Sequence, residues 1–184
     1  MKELSLHILD IVQNSIEADA SLVTIKIVEN LTTDKLIIEV IDNGCGMDKE
    51  LAEKIKDPFV TGRNTRKVGL GIPLLYKACT RCDGDMEIQS EVGKGTRISC
   101  WFKYSHIDRA PLGNITDTIL TIVAGNPQVD IVYLHMRDDK EIHLDTREIK
   151  RALGEVPINE PAVLSWIREF LKEGFNSLYG GANI

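Results

Sequence analysis

The chain has 184 residues, 43% hydrophobic and 27% charged, which is ordinary globular usage and enough for one good-sized domain, or one with a small appendage. With 28 acidic and 22 basic residues the net charge is −6, which argues against a general nucleic-acid face and against docking on an anionic membrane surface. No apolar run reaches the roughly 18 residues of a membrane span, and His7 and Asp10 interrupt the stretch where a signal sequence needs unbroken apolar residues, so the expected setting is the cytoplasm.

Residues 4–18 read as a helix, with Ile8, Ile11, Val12, Ser15 and Ile16 in a stripe at three- and four-residue spacing. His7, Asp10, Asn14 and Glu17 fall on another face, which on a helix ordinarily means a solvated one. From Leu22 to Val28 the apolar residues Val23, Ile25 and Ile27 alternate with Thr24 and Lys26, a strand. Polar residues 30–35 turn the chain, and Leu36–Asp42 returns as the second strand of a hairpin.

Leu36, Ile38, Val40 and Asp42 share one face of that second strand, so a carboxylate ends an apolar row. A carboxylate placed there needs donors to offset its desolvation. Gly44 and Gly46 follow at once and let backbone approach a flat ligand. Two readings stand: a pocket carboxylate facing a ligand amino group, or an Asx turn in which Asp42 and Asn43 cap the bend.

Lys49–Lys56 is a short helical segment. Residues 57–68 lack apolar periodicity, carry Pro58, Gly62, Asn64 and the charges of Asp57, Arg63, Arg66 and Lys67, and read as a mobile loop. Gly69-Leu70-Gly71 opens a helix to about Arg81, with Pro73 in its first turn, where a missing N–H costs nothing. Asp85–Glu91 and Thr96–Lys103 form a second hairpin around Val92-Gly93-Lys94-Gly95. Cys79 and Cys82 form a CxxC pair, but a zinc site usually needs a second close pair and no thioredoxin-like pattern surrounds this one, so they read as structural helix-end cysteines.

Around Tyr104–Asn114 the pattern lapses, with Pro111 and Gly113, and a domain boundary is expected there, between residues 1–104 and 105–184. A helix or strand over Thr116–Ala124, a hairpin of Val129–Met136 with Glu141–Leu144, and helices at Thr146–Leu153 and Glu160–Leu178 complete the chain. Val163, Leu164, Ile167, Phe170 and Leu171 line one face of the last helix, as core or as an oligomer seam.

Four signals stand in fixed order: a helix with Asn14; Asp42 with Gly44 and Gly46; Pro58-Phe59 leading to Gly69-Leu70-Gly71; and the Gly93/Gly95-Thr96 hairpin. Together they resemble the ATP-binding domain shared by gyrase, the heat-shock chaperones, histidine kinases and MutL-type mismatch-repair proteins (the Bergerat or GHKL fold), over about residues 4–104. The resemblance implies an α/β two-layer sandwich, a mixed or antiparallel sheet with helices on one face, followed by a small C-terminal α+β region. It implies ATP and Mg2+ as cofactors. Asp42 would be the adenine-recognising carboxylate, Thr96 its assistant, and Gly44, Gly46 and Met47 the backbone against which the ring lies. Asn14 would be the magnesium ligand. Gly69, Leu70, Gly71 and Ile72 would open the phosphate-holding helix, and Phe59, Arg63 and Lys67 would belong to a lid over the nucleotide.

By the same resemblance Asp10 would take the place of the family's catalytic glutamate, one methylene shorter, either as the base or only as a holder of a water on the magnesium. Val12–Ala20 looks most like the MutL type and Asp57–Phe102 more like the histidine kinases. A histidine kinase also needs a phosphoacceptor histidine on a preceding hairpin, which is not expected in this chain, and His7 reads as a packing or pocket-rim residue. The resemblance therefore points to a stand-alone regulatory ATPase or kinase whose lid state controls a partner protein through residues 105–184, with a homodimer as a further arrangement. The other reading is a non-hydrolysing nucleotide-sensing or scaffold subunit.

Overall fold

The computed structural model describes residues 2–56 and 70–180. Helix α1 (Leu4–Glu17) buries Leu4, Ile8, Ile11, Val12 and Ser15, the apolar stripe read from the sequence. Its first turn has no side-chain cap; instead Leu4 N and Ser5 N donate to the carbonyls of Pro111 and Leu112 at 3.0 and 2.8 Å. The unpatterned stretch after Tyr104 thus satisfies N–H groups that a helix start leaves without partners.

Strands β1 (Leu22–Asn30) and β2 (Lys35–Asp42) pair antiparallel, from Val23 opposite Asp42 to Asn30 opposite Lys35. Asp48 caps the short α2 (Lys49–Lys54) by accepting from Leu51 N at 2.8 Å. Helix α3 (Gly71–Thr80) buries Gly71, Ile72, Pro73, Leu75 and Cys79. Strands β3 (Asp85–Glu91) and β4 (Gly95–Lys103) form the second hairpin, and β4 also pairs with β2, Asp42 lying opposite Thr96.

The segment expected as helix or strand is a helix, α4 (Ile115–Gly125), because Asn114 caps it through Asp117 N at 3.0 Å and its apolar residues fall at helical spacing. Strands β5 (Asp130–Arg137) and β6 (Lys140–Asp145) follow as an antiparallel hairpin. Asp145 caps α5 (Thr146–Leu153). Helix α6 (Pro161–Tyr179) starts on a proline, ends on Gly180 and buries Val163, Ile167, Leu171 and Leu178 in the main core.

All six strands form one mixed sheet in the order β3-β4-β2-β1-β5-β6. Strand β5 runs parallel to β1, Leu22 lying opposite Asp130, so the two strands after residue 104 extend the sheet begun by the first four. The register puts Val23, Ile25 and Ile27 in rows with Val40 and Ile38, Ile98 and Cys100, and Ile131 and Tyr133, all buried beneath the helices. The opposite face carries half-buried Thr24, Lys26 and Val28, and there Glu39 accepts from Arg97 at 2.6 Å and Ser99 at 3.2 Å. This is the two-layer sandwich expected from the sequence.

A second buried polar cluster lies three rows along the sheet from Asp42. Glu29 accepts from His135 Nε2 at 2.7 Å and from the Tyr179 hydroxyl, and His135 Nδ1 lies 2.8 Å from the Tyr133 hydroxyl. Burial alone would lift the Glu29 carboxyl, but the hydrogen bonds from His135 and Tyr179 outweigh it and hold it below the ordinary carboxylate value. The cluster ties the end of α6 to β1 and β5. Cys79, Cys82 and Cys100 are buried thiols outside any disulfide, and burial pushes the Cys79 thiol up to about 12, which makes it inert. No helix among the described residues is long and apolar enough to cross a membrane.

Candidate functional site

The candidate site lies where the ends of β2 and β4, the second half of α1 and the start of α3 meet. Asp42 ends β2 and faces the helices, with the donors its position requires. Oδ2 accepts from the Ser15 hydroxyl at 2.8 Å, and Oδ1 accepts from Gly44 N at 2.9 Å and Thr96 N at 3.2 Å. A carboxylate has about four acceptor positions, so one direction remains for a ligand donor. The Asx turn is present, with Oδ1 holding the bend, while Oδ2 looks toward α1.

The loop after Asp42 threads between α1 and the β3–β4 hairpin. Cys45 N donates to Ala18 O at 2.8 Å, and Gly93 N donates to Cys45 O at 2.8 Å. At Gly46, φ is +64°, and a Cβ would lie 2.0 Å from Glu91 O. No side chain fits there, so this glycine is demanded by the chain's own packing. Met47 N donates to the Ser90 hydroxyl at 2.8 Å, which fixes the loop's far end.

Asn14 lies one position before Ser15 on α1. Its Nδ2 is buried without a partner, one of two such side-chain atoms among the described residues, the other being His7 Nδ1. Every other buried polar side-chain atom among them is satisfied, so an amide left without a partner here marks a place suited to a bound group. Asp10 stands one turn earlier. Its side chain is exposed, yet desolvation by its neighbours raises its carboxyl above the ordinary value, against the opposing pull of the N-terminal ammonium. Gly71 meets it directly: a Cβ on Gly71 would sit 2.9 Å from Asp10 Cβ. The glycine lets α3 begin against the acidic position of α1, and the start of a helix offers unpartnered N–H groups and a positive dipole end.

The structure thus brings Asp10, Asn14, Asp42, Gly44, Gly46, Met47, Gly71 and Thr96 to one end of the sheet. Leu70 is exposed beside them, whereas Ile72 points away into the core at 2% exposure. Phe59, Arg63, Lys67 and Gly69 lie outside the described residues. A shallow cavity of about 310 Å³ touches Asp42, Ser90 and Thr96, but its remaining walls are Ile41, Gln89, Glu91, Lys94, Gly95 and Arg97. It wraps around the sheet end onto the open face, so the side-chain geometry and not this hollow defines the site.

Sequence reasoning missed two residues. Ser15 was counted as part of the apolar stripe, yet it donates to Asp42. Ser90 carries no signal in the sequence beyond its place in the Asp85–Glu91 strand, yet it touches Met47, Gly95 and Thr96. The hairpin register could have found Ser90, since it pairs Ser90 with Thr96 on the inward face.

A mixed-sheet sandwich with this arrangement of Asn, Asp and glycines defines a nucleotide-binding domain of the Bergerat type. The chain belongs to the family of histidine kinase-, DNA gyrase B-, and HSP90-like ATPases, whose pattern matches residues 2–106. Sporulation kinase C of Bacillus subtilis is 33% identical over 88 residues, 48% of this chain and 20% of the kinase. Sensor kinase CckA of Brucella abortus is 39% identical over 64 residues, 34% of this chain and 7% of that protein. The chain thus spans a fifth or less of these relatives. Among solved structures, the N-terminal domain of a DNA repair protein superposes with a TM-score of 0.53 at 15% identity, over 79% of this chain and 53% of that one, and shares the fold.

Proposed function

We propose that the chain binds Mg-ATP and acts as a regulatory ATPase or protein kinase on a separate protein, in the cytoplasm. The observation that carries this reading is the buried, unpartnered Asn14 amide between Asp10 and the Ser15–Asp42 hydrogen bond. Which end of an amide faces a site is set by its partners, so Asn14 can turn its carbonyl toward a cation. A single amide oxygen suits magnesium, which keeps several waters and takes its other ligands from phosphates. Held there by Asn14, the ion would supply positive charge to offset that of the phosphates.

The protein's own groups supply the rest. Asp42 accepts from an adenine amino group and is oriented by Ser15, Gly44 and Thr96. The first turn of α3 offers its N–H groups to phosphate oxygens. Asp10, with its carboxyl pKa raised by desolvation, takes the proton of the attacking water or acceptor side chain. The kinase names of the relatives support phosphoryl chemistry, and residues 105–184 are the surface we assign to partner docking.

The test follows γ-labelled ATP with magnesium on the purified chain, reading free phosphate and protein-bound label together, for the unaltered protein and Asp10→Asn. Turnover lost in the variant with ATP binding retained supports the base role. Unchanged turnover in Asp10→Asn overturns it. ATP binding with neither product would leave nucleotide sensing as the activity.

A further inference from the structure

The hydroxyls beside Asp42 form a chain whose proton order can be worked out. Ser90 Oγ accepts from Met47 N at 2.8 Å and donates to the Gly95 carbonyl at 3.0 Å. A serine hydroxyl has one proton and two acceptor positions. The one assignment that satisfies all three contacts puts its proton on Gly95 O and Met47 N–H in one acceptor position. The remaining contact, 2.9 Å to Thr96 Oγ1, is therefore a hydrogen bond donated by Thr96. The Thr96 proton points away from the site, so this residue shows the site only lone pairs.

Thr96 is paired with Asp42 across β2 and β4, and its own N–H is committed to Asp42 Oδ1. Two acceptors thus stand side by side at the end of the sheet, one carboxylate and one hydroxyl oxygen with its proton committed elsewhere. We infer that Ser90 is a positioning residue for base specificity: by taking the Thr96 proton it makes Thr96 an obligate acceptor, so the site favours a base with an exocyclic amino group and disfavours one with a carbonyl at that place. This rests on the adenine reading of Asp42. Without Ser90, the Thr96 hydroxyl can rotate and donate to a carbonyl.

The probe is the pair ATP and ITP, whose bases differ in carrying an amino group or a carbonyl at that place. Binding of each is measured on the full chain by calorimetry. The unaltered protein is expected to prefer ATP by about tenfold or more, as a site of fixed acceptors does. In Ser90→Ala the ratio of the two Kd values should fall roughly threefold to tenfold, the size of one net hydrogen bond. Ser90→Thr, which keeps the hydroxyl, should retain the ratio. Thr96→Val, which leaves Ser90 and the hairpin in place, should lower the ratio on its own, and the double variant should lower it no further.

A Ser90→Ala protein that loses ATP and ITP affinity in parallel, with the ratio kept, would show Ser90 to be a mere fastener of the loop and overturn the inference. An unchanged ratio in Thr96→Val would do the same even if Ser90→Ala does not fold. If the unaltered chain binds neither nucleotide, the ATP reading itself fails and takes this inference with it, an outcome distinct from binding without discrimination by Ser90.

Discussion

His7 offers a test of the structure that needs no nucleotide. It is 3% exposed, its Nδ1 has no partner, and burial, helped by the N-terminal ammonium, lowers its pKa from 6.5 to about 4. In the folded protein the imidazole stays neutral to about pH 4, whereas in the unfolded chain it takes up a proton near pH 6.5. A lowered folded pKa contributes stability that is complete above the unfolded value and is lost as pH falls from there toward the folded value. Between pH ~7.5 and ~4.5 the loss from this one group comes to roughly 2.5 kcal/mol. That is a large part of the 5–15 kcal/mol that holds a typical domain together.

The assay is urea unfolding of the unaltered chain and of His7→Phe across that pH range, followed by far-ultraviolet circular dichroism. Carboxylates common to both proteins cancel in the difference between them, as does any constant packing cost of phenylalanine. Relative to the variant, the unaltered chain should lose roughly 2.5 kcal/mol on acidification. A difference that stays constant within about 0.5 kcal/mol would refute the reasoning, because it would mean that His7 is protonated in place or solvated.

Asn14→Ala should abolish magnesium-dependent ATP binding while leaving the ligand-free protein as stable or up to about 1 kcal/mol more stable, since it removes an unpartnered amide and adds the best helix former; calorimetry and urea unfolding read the two effects, and retained binding would refute the ligand role. Asp42→Asn puts an amide where Ser15, Gly44 and Thr96 all donate, so ATP affinity should fall by about tenfold or more and stability by roughly 1–3 kcal/mol. Glu29→Ala should cost about 3 kcal/mol by leaving His135 and Tyr179 without their acceptor. It should also speed amide hydrogen exchange in α6 while ATP affinity holds, because the cluster lies three rows from Asp42.

Much of this fold is legible in the chain. The Ile8–Ile11–Val12 stripe, the alternation of Val23, Ile25 and Ile27, and the Val92–Gly95 turn carry their structure locally, by period and by turn chemistry. The neighbour of a strand is not written that way: Val129–Met136 alternates identically whether it lies at an edge or beside β1, and only the assembled sheet shows which. In the site, Asp42 was legible because a carboxylate ending an apolar row needs an explanation. Ser15 and Ser90 were not, because a small hydroxyl residue sits unremarked among apolar ones until its partners are known. Gly46 was read as room for a ligand, whereas the atom it makes room for is Glu91 O.

The parallel seam between β1 and β5 also bears on how the protein is made. Antiparallel β2 can close on β1 as soon as the short turn between them has formed, but the other edge of β1 must wait for a partner about a hundred residues further along, a contact with a slow closure. Until then Leu22–Asn30 is a bare, β-branched edge of the sort that recruits strands from other molecules. A protein cut after Lys103 would keep that edge for good. The C-terminal hairpin therefore covers that edge of the first strand, and a fragment that ends where the family pattern does is expected to associate through it, which size-exclusion chromatography against the full chain would read.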